Sequence, residues 1–119
     1  FTEFMEQRGP GHTVGSKNIF SKGFMDYKRE IEDEMEKLDF LNDTQALEKR
    51  DQLSAMSICC DGIMILAQRY AELARDMAEK EADQTRREEL IQIAKNCETV
   101  PAQRPKTYWQ AMQMYWFVQ

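Results

Sequence analysis

The feature that most constrains the fold is a long run of helical periodicity in the middle of the chain. From residue 44 to about residue 81, apolar side chains recur at alternating steps of three and four, which places them on one face of an α-helix. The stripe consists of Leu53, Met56, Cys60, Ile63, Ala67, Tyr70, Ala74 and Met77. Such a helix is roughly 57 Å long at 1.5 Å per residue, well beyond the size of a compact domain of this length. It therefore needs other protein around it, either partner helices or further chain.

Helical patterns account for most of the remaining sequence. We expect a short turn over residues 16–22 and helices over 24–38, from 83 or 85 to 97, and from 108 onward. Ile19 and Phe20 are expected to pack inward from the turn, and Leu90, Ile93, Ala94 and Cys97 from the helix that ends at residue 97. No strand pattern is evident, so the chain is predicted to be all-α.

Several helix starts carry capping signals. Asn42 precedes Gln45 by three residues, and Thr107 precedes Gln110 by the same distance, which is the spacing of a capping box. Asp83 or Thr85 is the candidate N-cap of the helix that ends at residue 97. The two prolines within residues 100–105 predict an extended connector between the last two helices.

A run of charged residues lies on the helix predicted over 24–38. Most positions between residues 28 and 37 are acidic or basic, which indicates a solvent-exposed face with pairs such as Asp33 to Lys37. A carboxylate metal protein built from four helices is the competing interpretation. That class needs Glu-x-x-His pairs, and the sequence contains none, so we predict no metal site.

Charge and cysteine content exclude several classes of protein. The net charge is −5 with basic residues scattered among acids, which argues against general nucleic-acid binding. There is no apolar run of about 18 residues and no signal-peptide pattern, so no membrane partner is expected. The three cysteines lack zinc-site spacing and form no disulfide framework, which favours small buried side chains in a reducing cytoplasm.

The sole histidine lies in an unusual loop, residues 8–14 (RGPGHTV). Two glycines around a proline prevent this loop from continuing a helix. One interpretation is a surface turn with a solvent-exposed His12. The other is a site, because histidine is the side chain that most readily transfers a proton near neutral pH and functional residues concentrate on loops.

The ends of the sequence suggest a piece of a longer protein. The chain begins at Phe1 without methionine and stops within an apolar, aromatic segment that follows Tyr108. A helix that is apolar on nearly every side is typical of an element buried inside a larger body.

A series of short motifs resembles one known family. In chain order the motifs are residues 8–13 (RGPGHT), 22–24 (KGF), 68–71 (QRYA), 87–90 (REEL), 100–102 (VPA), and 107–113 (TYWQAMQ) with Trp116 and Phe117. Together they are similar to the N-terminal part of the large catalytic subunit of glycyl radical enzymes, the pyruvate formate-lyase-like superfamily. The resemblance covers essentially the whole chain.

This resemblance implies a ten-stranded α/β barrel wrapped by helices, with residues 1–119 as a partial, N-terminal helical segment on the outside. It also implies a protein glycyl radical, a cysteine thiyl that abstracts hydrogen from the substrate, and a glutamate base. A separate radical S-adenosylmethionine activase would install the radical, and the catalytic chain is expected to be a homodimer. Since the thiyl, glutamate and glycyl motifs are absent here, we expect no bound cofactor and no activity from residues 1–119 alone.

Within the superfamily, the loop resembles that of the dehydratase and C–X lyase branch. His12 matches the position where hydroxyl-eliminating members place a histidine against the leaving hydroxyl, so the resemblance implies both substrate binding and catalytic proton donation by His12. Phe4 matches a pocket-lining position. An aromatic residue there is similar to the trans-4-hydroxy-L-proline dehydratases and less similar to the glycerol and propanediol dehydratases. The implied reaction is radical elimination of water from a small hydroxylated substrate.

Two other functions stay open at this level. Within the family, the parent could be another C–X lyase or an enzyme like formate acetyltransferase. From a different class, the chain could be a stand-alone helical interaction module whose long helix over residues 44–81 pairs with a partner.

Overall fold

The computed structural model describes residues 17–119 and folds them into five α-helices. They are α1 (Asn18–Ser21), α2 (Phe24–Glu36), α3 (Ala46–Lys80), α4 (Gln84–Thr99) and α5 (Tyr108–Val118). The described residues contain no strand. The all-helical prediction is confirmed, and so is the long central helix, which spans 35 residues.

Helices α3 and α4 form the body of the fold as a helical hairpin. Only residues 81–83 connect them, so the two helices run antiparallel. Helix α3 contributes a column of buried small residues at steps of four and three, namely Ala67, Ala71, Ala74 and Ala78. Buried Leu90, Ala94 and Cys97 of α4 were predicted to face inward, and they do. Small side chains let two helices approach closely, which explains the extent of this contact.

Polar contacts tie the neighbouring helices to α3. Of the two candidate caps, Asp83 is the one that caps α4, because its side chain accepts a hydrogen bond of 2.8 Å from the Thr85 N–H. Arg75 donates to the Glu98 carboxylate at 2.8 and 2.5 Å and so joins α3 to α4. Lys28 of α2 pairs with Asp61 of α3 at 2.6 Å.

The remaining core lies where α1 and α5 meet the turn after α4. Ile19, Val100 and Met114 form a buried cluster, and Phe24 and Val118 pack against it. A second cluster joins Phe117 of α5 to the α3–α4 hairpin through Ala67, Ala71 and Cys97. These two clusters hold α5 against α1 and the turn after α4 on one side and against the α3–α4 hairpin on the other.

Several side chains lie elsewhere than the sequence predicted. Phe20 was expected to pack inward and is 47% exposed, because the four-residue α1 can turn only one apolar side chain, Ile19, into the core. Cys59 is exposed, whereas Cys60 and Cys97 are buried as expected. Among the eight apolar residues predicted to share one face of the long helix, Met56, Tyr70 and Met77 are exposed. The eight predicted positions therefore belong to more than one face of the helix.

Two predicted polar arrangements also differ. The Asn42–Gln45 capping box is wrong: α3 begins at Ala46, and no side chain caps it. Asp43 supplies local order instead, since its carboxylate accepts from the Gln45 N–H at 2.9 Å. Lys37 pairs with Glu34 at 2.7 Å rather than with Asp33.

The capping box predicted at α5 is formed in a modified way. The Thr107 side chain accepts a hydrogen bond from the Gln110 N–H at 3.2 Å, as predicted. The Gln110 side chain accepts from the N–H of Lys106 and not from that of Thr107. The side chains of Thr107 and Gln110 thus each accept one backbone N–H at the start of α5.

The molecule is much more extended than a compact domain of its length. Its radius of gyration is 18.5 Å and its principal extents are 64, 41 and 22 Å. A compact domain of this length has a radius of gyration of about 13 Å. The 35 residues of α3 alone span about 52 Å, which accounts for most of the longest extent.

Candidate functional site

The predicted site residues, Phe4 and His12, lie outside the described residues, as does the loop of residues 8–14. What the structure does describe is the place where the start of α2 meets the turn after α4. This place, which we call the Gly23 junction, consists of Gly23, Phe24, Met25 and the turn of residues 101–103.

The Gly23 junction is a direct backbone contact between two segments that are far apart in sequence. The first N–H groups of α2 have no partner within the helix, and the turn supplies one for two of them. The Phe24 N–H donates to the Pro101 carbonyl at 2.9 Å, and the Met25 N–H donates to the Ala102 carbonyl at 3.0 Å. The junction therefore brings together two of the motifs that carried the family resemblance, KGF and VPA.

Only glycine fits at the centre of this junction. A Cβ atom on Gly23 would lie 2.2 Å from the Ala102 carbonyl oxygen and 2.5 Å from the Gln103 Cα. Real atoms do not approach so closely, and both neighbours are backbone, which cannot rotate away. The reason for glycine here is close approach, since its φ of −103° is one that any residue can adopt.

Asp26 closes the junction on its solvent side. The Gly23 N–H donates to the Asp26 carboxylate at 2.9 Å, and Arg29 donates to the other carboxylate oxygen. The Gly23 hydrogen bond lowers the pKa of Asp26 below its ordinary value, and the charge of Arg29 lowers it further. Near neutral pH Asp26 is therefore an anion held at the N-terminus of α2, where the helix dipole also favours negative charge.

An open apolar groove of about 710 Å³ lies beside the junction, between α2 and α3 and against the end of α5. The groove is lined by Ile19, Phe24 and Met114, members of the buried cluster around Val100 that we call the junction cluster. Glu30 and Glu34 are the ionisable carboxylates on its wall. Chemically, the groove can bury an apolar side chain and exclude water from it, but it offers few groups for orienting a polar ligand.

Two of the cysteines are buried as protonated thiols. Burial raises the pKa of Cys97 to about 11 and raises that of Cys60 as well. Since the thiolate is the reactive form, neither side chain acts as a nucleophile at neutral pH. Within residues 17–119, no three Cys, Asp or Glu side chains lie close enough together to hold a metal ion.

None of the five described helices is long and apolar enough to cross a membrane.

The sequence reasoning missed the central role of Gly23, although a glycine directly before a helical stripe was the available signal. Its partner turn could not be found in the same way, because nothing in the spacing of residues 100–105 indicates where that turn packs.

Comparison with known proteins relates this chain to one family. Residues 1–119 match the family described as pyruvate formate lyase-like. Over 118 residues, 99% of this chain, the sequence is 56% identical to trans-4-hydroxy-L-proline dehydratase of Clostridioides difficile. It is 42% identical over 103 residues, 87% of this chain, to isethionate sulfite-lyase of Desulfovibrio desulfuricans.

The fold agrees with the same relationship. The crystal structure of hydroxyproline dehydratase from Clostridioides difficile, with trans-4-hydroxy-L-proline bound, superposes on 96% of this chain with a TM-score of 0.86 and 54% identity. The match covers 14% of that structure. The chain spans 15% of the length of the dehydratase and 12% of the length of the sulfite-lyase.

Proposed function

Because the chain belongs to the pyruvate formate lyase-like family, we propose that it is part of a longer glycyl radical dehydratase, which eliminates water from a small hydroxylated substrate. The observation that carries the proposal is the 56% identity to trans-4-hydroxy-L-proline dehydratase along 99% of this chain. A cyclic hydroxylated amino acid is thus the first substrate to test.

His12 is the proposed catalytic residue. A hydroxyl group leaves far more readily as water than as hydroxide, so elimination needs a proton donor beside the leaving oxygen. An imidazole can supply that proton near neutral pH. His12 would bind the substrate hydroxyl and protonate it as the carbon–oxygen bond breaks. Phe4 would line the same pocket, where a phenyl face can pack against a small ring.

The rest of the proposal concerns the parent protein. Residues 1–119 would be the helical segment outside a ten-stranded barrel that carries the remaining catalytic groups. A glycyl radical, installed by a radical S-adenosylmethionine activase, would supply the hydrogen-abstracting chemistry. We further propose that the parent is a cytoplasmic homodimer and that residues 1–119 alone have no activity.

A substrate comparison tests the reaction class. The activated parent should release water from trans-4-hydroxy-L-proline, whereas isethionate should yield no sulfite. Substrate consumption and product formation can be followed for both compounds by mass spectrometry. Sulfite release from isethionate together with an inert hydroxyproline would refute the dehydratase assignment and favour a C–X lyase of the same family.

A substitution tests the role of His12. His12→Ala in the parent should lower kcat by about 10²- to 10⁴-fold, the usual contribution of a general acid, with little change in thermal stability. His12→Gln is the matched control, because its amide can still donate a hydrogen bond but cannot transfer a proton. Turnover at the wild-type rate in His12→Ala would show that another group protonates the leaving hydroxyl.

A helical interaction module is the second candidate function, because large apolar side chains such as Leu73 and Trp116 are more than half exposed on α3 and α5. The two functions predict different molecules in the source cell. An intact-mass measurement that finds a 14.0 kDa protein would favour the module. A several-fold larger mass would favour the enzyme.

A further inference from the structure

Helix α3 carries a second apolar face, separate from the column of alanines that packs on α4. Its members follow steps of three and four, so they lie along one side of the helix. We call this face the α3 stripe, and it consists of Ala55, Cys59, Gly62, Leu66, Tyr70, Leu73 and Met77. Every member is exposed in the described structure. Twenty-two residues separate its ends, so the stripe is about 33 Å long.

The composition of the α3 stripe is that of an interface. It contains no charged residue, although α3 has polar and charged residues on its other exposed side, including Gln68 and Glu72 with their mutual hydrogen bond. Leu66, Leu73 and Met77 are 41%, 52% and 47% exposed. Scattered apolar residues on a surface are ordinary, but an aligned, uncharged face of this length indicates a binding surface.

The middle of the stripe is open to a close neighbour. A Cβ atom on Gly62 would have no other atom within 4 Å. Glycine weakens a helix interior, and its usual structural benefit is to let another backbone approach. Cys59 and Ala55, about one and two turns away, are also small. This half of the stripe can therefore accept an element packed tightly along α3.

The stripe also continues onto α5. The Tyr70 ring contacts the Trp116 ring edge to face, with 5.1 Å between the ring centroids. Trp116 is itself 55% exposed. An element that covers the stripe would thus contact α5 as well.

We propose that a helix of the same polypeptide, from outside residues 1–119, packs along the α3 stripe and lies closest to α3 at Gly62. The proposal rests on the parent protein of the proposed function. The chain makes up only 12–15% of the length of its relatives, so most of the material that could cover the stripe belongs to the same polypeptide. A face without charges suits such a permanent contact, since lasting interfaces are more apolar than transient ones. Steps of three and four along about 33 Å match the packing of one helix against another.

Chemical labelling of the native Cys59 thiol in the parent tests this proposal. The thiol is exposed in the described structure. A maleimide is added to the native protein, and mass spectrometry of the digested peptides gives the labelled fraction at Cys59 over time. A matched pair of variants, Leu66→Cys on the stripe and Gln68→Cys on the polar side, provides the scale.

If the stripe is covered, Cys59 and the Leu66→Cys thiol should react about twenty-fold or more slowly than the Gln68→Cys thiol, since labelling then needs local opening. Rates within about twofold of the Gln68→Cys rate would overturn the proposal. A covered thiol reacts only while the contact is open, so its labelling rate is reduced by the opening equilibrium. If Leu66→Cys does not fold, the wild-type Cys59 rate still decides the question.

Two further results separate this proposal from its alternatives. Protection of Cys59 that disappears on about hundred-fold dilution would show that a second copy covers the stripe, which would also overturn the proposal. Labelling does not depend on turnover. An active dehydratase with a reactive Cys59 refutes only the stripe contact, and an inactive parent with a protected Cys59 refutes only the proposed reaction.

Discussion

The two described glycines lie in opposite surroundings. Gly23 is buried, and a Cβ there would collide with the backbone of Ala102 and Gln103. Gly62 is exposed, and a Cβ there would meet nothing. One glycine permits a contact that the described chain completes with its own residues. The other permits a contact for which residues 17–119 supply no partner.

This difference shows which parts of the fold are complete. At the Gly23 junction, backbone hydrogen bonds, a buried cluster and Asp26 all come from within residues 17–119, so the arrangement is closed. Along the α3 stripe, the apolar side chains have the spacing of a packed helix but remain in solvent. The predictions below compare the two regions in the parent protein, and the local free energy of unfolding from amide hydrogen exchange is the common measure.

The largest effect is expected from Met114, which is fully buried in the junction cluster. Met114→Ala leaves a cavity among Ile19 and Val100 and should lower the local free energy of unfolding by about 3–4 kcal/mol. Met25→Ala is the control on α2, because the Met25 side chain is 47% exposed. Equal losses in the two variants would contradict the idea that the junction is a closed core.

Gly23→Ala should lower the local free energy of unfolding of α2 and the 101–103 turn by about 2–3 kcal/mol, because the added methyl forces two backbones apart. Exchange of the Phe24 and Met25 N–H groups should speed up most, since their hydrogen bonds to the turn are stretched. Unchanged exchange at these two amides would mean that the turn can move aside without cost.

The change in α3 stability caused by Gly62→Ala should differ in sign, and not only in size, between a covered and an open stripe. If the α3 stripe is covered closely in the parent, the added methyl should destabilise α3 by about 1–2 kcal/mol. If the stripe is open, alanine should stabilise the helix by about 0.5–1 kcal/mol, because glycine is the weaker helix former. A stabilised α3 would therefore count directly against a helix packed at this point.

The smallest effect concerns Asp26 and depends on pH. Its pKa is lowered in the folded state, so its charge stabilises the junction at pH values above the unfolded pKa of about 4, and this stabilisation is lost as the pH falls through the lowered folded value. Asp26→Asn should cost about 0.5–1 kcal/mol at pH 7, as expected for a helix cap. Thermal melts of both proteins at pH 7 and near pH 3 should show the difference shrinking in acid. A difference that is constant with pH would show that the carboxylate charge is not involved.

Much of the helical architecture followed from periodicity and end signals. The spacing of apolar residues identified α3 and the buried side of α4 at Leu90, Ala94 and Cys97, because a helix covers whatever face repeats every three or four residues. Asp83 was recognisable as a cap because capping is a contact between near neighbours in sequence. The capping box predicted at Asn42 also depended on near neighbours, but the Gln45 N–H donates to Asp43 instead.

The sequence by itself determined the helices, the polar ends of α4 and the family motifs, because each depends on residues that are close together along the chain. Tertiary structure alone decided that the α3 apolar residues divide into two faces and that Gly23 lies against Ala102. It also decided that residues 17–119 bury the face with Cys60 and the alanine column and leave the α3 stripe exposed. Periodicity states that a face is apolar, but which neighbour covers it depends on where distant segments pack. His12 and Phe4 lie outside the described residues, so their place in a site stays a prediction from the sequence.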